Sequence, residues 1–436
     1  LKQAKTIILD SIGALLTASS PRYSGSKIIT EFVRRLGGTK EATVIGRRFK
    51  TSSVNAALAN GTLGYYCDIE PHHPGAILHP AAVLLPSSLA VAEKEESSGL
   101  DVITSFVLGV DIETRISYAL SPREQYSRGF HPSSVCGSLA ASITAGKVIG
   151  LDEREMLNAL GLAGCQASGL LAWENDRTEM SRPFQMGVAA RNGVTSALLA
   201  RDGFAGPEVI EGKYNIFNAF SGMSNYEELP RELGRTFQVM QLALKRYSCC
   251  AFLHPGLDAL LNVMDQNDVE AEEIKRIILR FPRSGAKLID NSELRSHNAQ
   301  YILSVAALKK KVRIDDILVY QQDNPKVEEL SKRVQVNYDN DLDQYFPQKY
   351  TSVIVLETKG GETFEERVEF ARGTPENLLS EQEVEMKFRD LTAIAIDERR
   401  QREIIKTIHN LERCQKITDL TALLSFHQPY TTPSES

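Results

Sequence analysis

EREMLNALGLAGCQASGLL, residues 153–171, places Met156, Leu160, Ala163, Ala167 and Leu171 at spacings of three and four. That spacing predicts a helix with one apolar stripe turned inward. On either side, CGSLAASITAGKVIG (136–150) and GVAARNGVTSALLARDGF (187–204) show the same period with much Ala, Gly and Ser. Small side chains let helices approach closely, so the stretch predicts a large helical bundle with little side-chain filler. Gly203 suits a helix stop, and GFAGPEVIEG (203–212) then reads as a turn. At the N-terminus, LKQAKTIILDSIGALLTA (1–18) reads as an amphipathic helix. It has no initiator Met and starts in mid-helix, so further residues are expected upstream.

The pattern changes near residue 245. IKRIILRFP (274–282) and SVIVLETKGGETFEERVEF (352–370) read as strands, the second folded at Gly360-Gly361 into a hairpin. Helical spacing returns over 379–436, where SEQEVEMKFRDLTAIA (380–395) opens on Ser380 as an N-cap and a polar tail follows. The expected fold is mainly α with two domains. Residues 1–242 and 376–436 form a large all-helical domain, and residues 243–375 a smaller α+β domain.

With 436 residues, 42% hydrophobic and 24% charged, the chain is too long for one core. A net charge of −6 argues against a nucleic-acid partner, and Lys309-Lys310-Lys311 with Arg313 reads as a solvated surface run. The six cysteines contain no CxxC pair, which fits reduced thiols inside a cell. No apolar run reaches membrane-spanning length, so no membrane partner is expected. The expected compartment is the cytoplasm, with the mitochondrion as the alternative.

Chemistry gathers in YYCDIEPHHPGAILHP (65–80), which holds His72, His73 and His79 with Asp68, Glu70 and Cys67. Consecutive His72 and His73 tend to point apart, which disfavours a zinc site built on convergent ligands. Three readings stay open: a metal-free loop whose neutral imidazole moves protons, an exposed proline-rich turn, and a metal site. In RGFHPSSVCGSLAAS (128–142), His131 stands before a helix N-terminus, a place suited to an anion or simply to a cap. TEMSRPFQMGVAARNG (178–193) offers Arg182 and Arg191, whose guanidinium groups can grip a carboxylate. LKRYSCCAFLHPGLDALL (244–261) brings Lys245, Tyr247, His254 and the Cys249-Cys250 pair to the expected domain junction, where small ligands often bind. Those thiols read either as nucleophiles or as small buried apolar groups. No GxSxG, P-loop or dinucleotide fingerprint is present, and the glycines of LGLAGCQASG follow no strand.

Taken in order, AKTIILDSIGALL, ANGTLGYYCDIE, LHPAAVLLPSSLAVAE, GFHPSSVCGSLAASITAGKVIGLD, ALGLAGCQASGLL, GVAARNGVTSALLARDGFAGPEVIEG, KRYSCCAFLHPGLDAL and ARGTPENLLSEQEVEMKFRDL resemble the MmgE/PrpD family over nearly the whole chain. The family includes 2-methylcitrate dehydratase, cis-aconitate decarboxylase and iminodisuccinate epimerase. The resemblance implies a large helical domain plus an α+β lid, a homodimer, and a site between the two domains. It also implies no metal and no organic cofactor, a small di- or tricarboxylate substrate, and proton movement next to a carboxylate.

By the same resemblance His79, His131, Asp68 and Lys245 are expected to be catalytic, with Asp68 orienting an imidazole. Arg182, Gln185, His254, Tyr301 and His73 are expected to bind substrate. Arg182 and Gln185 depart from the family's usual lysine and histidine, and DIEP replaces a double aspartate. Arginine keeps a carboxylate grip but does not readily release a proton, and glutamine does not titrate. The first expectation is a hydro-lyase acting on 2-methylcitrate or a related alkylcitrate. Decarboxylation of cis-aconitate is the alternative, and epimerisation of a dicarboxylate comes third. From another class, a catalytically silent carboxylate-binding relative would also keep the fold.

Overall fold

The Ser181–Arg201 helix lies so close to the Ser53–Tyr66 helix that a Cβ on Gly187 would meet Thr62 Oγ1 at 2.2 Å. That contact shows what the Ala- and Gly-rich composition does, because it replaces side-chain filler by backbone approach. In this computed structural model residues 1–319 and 324–426 are described, and the polar C-terminal tail lies outside them. The chain divides into two compact units. The first comprises Leu1–Leu171, Met180–Leu242 and Ser380–Ser436, and the second Ala172–Glu179 and Ala243–Leu379. Residues 172–179 and 376–379, assigned from sequence to the helical domain, therefore fall in the second unit.

In the first unit, helices Lys2–Ala18, Ser53–Tyr66, Pro80–Lys94, Gly99–Leu120, Pro132–Ile149 and Ser181–Arg201 build the bundle. Lys2–Ala18 is not amphipathic along its length: every residue from Ile7 to Ala18 is buried. Its Ser11 and Thr17 hydroxyls donate to the carbonyls of Ile7 and Gly13, four residues back, which makes small polar residues tolerable there. Ser380 caps Glu381–Thr392 in a reciprocal box with Glu383, as its sequence predicts. A two-stranded ribbon, Ala42–Thr43 with Lys50–Thr51, adds a small β element to this helical unit.

The stripe that opens the sequence argument runs only part of its length. The helix spans Glu153–Gly164 and stops there, leaving Ala167 and Leu171 outside it. Residues 169–171 instead run beside 129–131, with His131 N–H donating to the Gly169 carbonyl at 2.9 Å and Leu171 N–H to the Gly129 carbonyl at 2.9 Å. Apolar spacing does not register that competition, because the backbone partners come from a distant loop.

The second unit holds a four-stranded sheet in the order Val334–Asp339, Ile274–Pro282, Ser352–Thr358, Thr363–Val368. The first pair is parallel and the other two antiparallel. The hairpin turns at Gly361, whose φ of +93° suits glycine. Phe252 stacks on Phe281 and meets Phe346 and Tyr350 edge-on, giving this core an aromatic centre.

Candidate active site

Tyr65 lies in the last turn of the Ser53–Tyr66 helix and forms the floor of the site in the first unit. The chain leaves that helix through Asp68, held at φ +50° with its N–H donating to the Tyr65 carbonyl at 3.1 Å. Residues 73–78 close a small loop in which His73 and Leu78 exchange backbone hydrogen bonds of 2.8 and 3.2 Å. Ile77 sits at φ +51°, a strained conformation for a β-branched residue and one that persists only when its surroundings enforce it. His79 then precedes Pro80, the first residue of the Pro80–Lys94 helix. His131 stands in the same way before Pro132 of the Pro132–Ile149 helix.

Around Tyr65 three distant segments meet. The His79 ring packs edge-on with centroids 4.5 Å apart, the Arg182 guanidinium lies over the Tyr65 ring at 4.9 Å, and the His131 ring is 6.4 Å away. The His79 backbone N–H also donates to Ser133 Oγ at 3.0 Å, tying the two histidine loops together. Arg182 donates from Nη2 to Asp68 Oδ2 at 3.2 Å and from Nη1 to Tyr65 Oη at 3.4 Å. Both members of that ion pair are buried, so each charge depends on its partner.

The two imidazoles have different neighbours. Glu70 Oε1 lies 2.7 Å from His79 Nδ1, and the Glu70 carboxylate is almost wholly buried. The carboxylate beside His79 Nδ1 is thus that of Glu70, while Asp68, expected to orient an imidazole, pairs with the Arg182 guanidinium. Behind the loop, Lys387 Nζ donates to the Ile69 carbonyl at 3.1 Å and pairs with buried Asp10 at 2.7 Å. His131 Nδ1 faces the Gln185 side-chain carbonyl oxygen at 3.0 Å, and the Gln185 amide N–H donates to the Leu170 carbonyl at 2.8 Å. Burial holds the His131 pKa down to about 3, and the electrostatic influence of His79 and Arg182 pushes the same way against the hydrogen bond to Gln185. Gln185, expected to bind substrate, thus bridges His131 and the Leu170 carbonyl.

His73 is also committed to the loop. Its Nδ1 accepts from the Ala76 N–H at 3.2 Å and its Nε2 faces Gln238 Oε1 at 3.2 Å. A ring nitrogen that accepts a backbone N–H carries no proton, so Nε2 is the donor and the ring is neutral. Burial lowers the His73 pKa to about 4, in agreement. His72 is buried with its ring 6.0 Å from that of His79.

In the second unit Lys245 is fully buried and His254 opens the His254–Gln266 helix, its ring 5.2 Å from that of Tyr247. Tyr247 Oη, an Arg246 guanidinium N–H and the Arg372 backbone N–H all donate to Asp258, at 2.7, 3.1 and 2.7 Å. Tyr301, expected to line a pocket, gives its hydroxyl proton to the Asp316 carbonyl at 2.6 Å. Cys249 and Cys250 are buried, and none of the six cysteines, all described, forms a disulfide. Buried in an apolar core, the pair fits packing better than nucleophilic attack.

Among the described residues one group of side chains has metal-like geometry, Glu381, Glu385 and His409, on the surface of the Glu381–Thr392 and Glu398–His409 helices. No helix among the described residues is long and apolar enough to cross a membrane. Tyr65 and Glu70 are functional candidates to which the sequence assigned no role. For Glu70 the available signal was its place in the histidine loop beside Asp68.

The chain is similar to a cis-aconitate decarboxylase-like protein of Aspergillus oryzae, 28% identical over 459 residues, covering 98% of this chain and 93% of the relative. It is 26% identical to a cis-aconitate decarboxylase of Aspergillus terreus over 453 residues, covering 98% and 91% of the two chains. A human cis-aconitate decarboxylase is 27% identical over 453 residues, covering 100% of this chain and 92% of its own. Residues 1–229 match the MmgE/PrpD N-terminal domain and residues 247–413 the MmgE/PrpD C-terminal domain. Matches along both parts of the sequence agree with the order of motifs read from it, and the chain belongs to the MmgE/PrpD family.

Proposed function

We propose that this chain is a lyase that removes carbon dioxide from a small unsaturated tricarboxylate, with cis-aconitate as the substrate. The observation that carries the proposal is the opposed pair of imidazoles beside a buried guanidinium. A carboxylate stands behind His79 and an amide behind His131. Environments that separate two titratable groups in this way assign acid and base roles. The similarity to cis-aconitate decarboxylases supports the choice of substrate.

In the proposed step the leaving carboxylate departs as carbon dioxide. The electron pair it leaves moves through the adjacent double bond to a carbon next to a second carboxylate. His79, protonated and steadied by Glu70, delivers its proton to that carbon. Arg182 holds the carboxylate on which charge accumulates, and the interaction strengthens as the charge grows. The N-termini of the Pro80–Lys94 and Pro132–Ile149 helices add positive potential to the same site. Lys245 and His254 carry over from the sequence as further substrate contacts, and a homodimer is part of the proposal. The step draws only on side chains, with no metal or organic cofactor.

Proton and carbon-13 NMR of cis-aconitate with the protein in deuterated water tests the proposal. Carbon dioxide release with one deuterium delivered to the product supports it, and loss of that turnover in His79→Ala, with an unchanged far-ultraviolet circular dichroism spectrum, assigns the acid. Intact substrate under these conditions defeats it. A second reading, elimination of water from 2-methylcitrate, is favoured by one feature: neutral His131 could take a proton next to a carboxylate. The same experiment run on 2-methylcitrate separates the two.

A further inference from the structure

The Gln185 side chain bridges two fixed groups. The Leu170 carbonyl can only accept a hydrogen bond, so the amide NH2 must face it at 2.8 Å. The amide oxygen is then left facing His131 Nδ1 at 3.0 Å, and an oxygen there requires a proton on that nitrogen. We infer that Gln185 is a positioning residue that locks His131 as the Nδ1–H tautomer, with the lone pair on Nε2. This rests on reading the His79–His131–Arg182 cluster as the active site.

The backbone makes the lock rigid. His131 and Leu171 donate across to Gly169 and Gly129, so Leu170 is fixed in line with the residue it constrains. Gly169 sits at φ +149°, and a Cβ there would come within 2.5 Å of Ser134 Cβ. No other residue fits this turn without moving the Pro132–Ile149 helix N-terminus. His131 is 1% exposed, which leaves solvent little opportunity to exchange the tautomer.

A titrating partner such as histidine could either donate to or accept from His131 and so follow its protonation state. A glutamine whose orientation is fixed by a carbonyl offers only an acceptor. Gln185 therefore makes a one-way arrangement that keeps His131 neutral, with Nε2 as the basic nitrogen.

Protein labelled with nitrogen-15 at histidine, observed by long-range proton–nitrogen correlation at neutral pH, reads the tautomer directly, with His131→Ala supplying the assignment. The expected spectrum shows a neutral ring protonated at Nδ1. A ring protonated at Nε2, or an imidazolium, would overturn the inference. Gln185→Leu should give a mixture of tautomers and lower kcat roughly five- to tenfold with little change in KM, the effect of one lost orienting hydrogen bond. Gln185→Glu should raise the pH at which His131 takes up a proton, moving the acidic limb of the kcat/KM profile upward. An unmoved limb and an unmixed tautomer in these variants would show that Gln185 only fills space. If no carboxylic acid is turned over while the spectrum shows the Nδ1–H form, the proposed function fails and the positioning role stands.

Discussion

His79 and His131 both precede a proline that starts a helix, and both pack around Tyr65, yet their surroundings are opposite. His79 has a buried carboxylate at Nδ1 and some access to solvent, and His131 has an amide at Nδ1 and almost none. A carboxylate stabilises the imidazolium, and an amide oxygen in a dry site favours the neutral ring. In the proposed scheme the acid and base roles follow from what stands behind each ring, because the ring itself and its local sequence are alike.

The largest way to break the contrast is through Arg182. Replacing it by Met removes one member of a buried ion pair, a change that typically costs about 3–5 kcal/mol. Denaturant unfolding of Arg182→Met should show that loss, and Asp68→Asn in the same chain should restore most of it without restoring turnover. A variant of full stability and full activity would remove Arg182 from the scheme.

Glu70→Gln comes next. It keeps a hydrogen-bond acceptor beside His79 and removes the charge, so His79 should lose its proton at lower pH and kcat should fall about 10- to 100-fold, within the range attributed to acid–base catalysis. The pH–rate profile checks this, since its alkaline limb should move down while the limb assigned to His131 stays.

A smaller effect concerns stability. Burial holds the native pKa of His131 to about 3 and that of His73 to about 4, against 6.5 for an ordinary histidine. The unfolded chain therefore takes up protons below about pH 6.5 that the native state refuses, and stability should fall from there toward the native values. Thermal unfolding across that range should depend less steeply on pH in His73→Gln, which keeps polar groups in the loop and removes one of the two titrations, leaving that of His131.

The smallest effect is expected at His409, which also touches carboxylates, Glu381 and Glu385, but on the surface. His409→Ala should leave kcat unchanged and shift stability by no more than about 0.5 kcal/mol. A large loss of activity would mean that a carboxylate beside an imidazole is sufficient without burial, and the comparison above would lose its basis.

Much of the fold was legible. The helical period around Pro132–Ile149 and Ser181–Arg201, the Ser380 cap and the glycine hairpin all express local preferences that survive packing. The end of the Glu153–Gly164 helix was not, since Ala167 and Leu171 keep the helical spacing after the backbone has left the helix. At the site, residue types announced His79, His131 and Arg182. Glu70, to which no role was assigned, stands beside His79 where Asp68 was expected, Asp68 pairs with Arg182, and His73, Gln185 and Tyr301 are engaged by neighbours.

From the order of residues alone came the helical and α+β composition, the family, and the kinds of side chain able to hold an acid and move a proton. Which carboxylate stands beside His79 was decided by how one short loop folds, and the approach of Gln185 to His131 and of Arg182 to Asp68 only by packing that joins residues 54 and 114 positions apart. Proton affinity depends on burial and on neighbours a few ångströms away, and those are fixed by packing rather than by proximity along the chain.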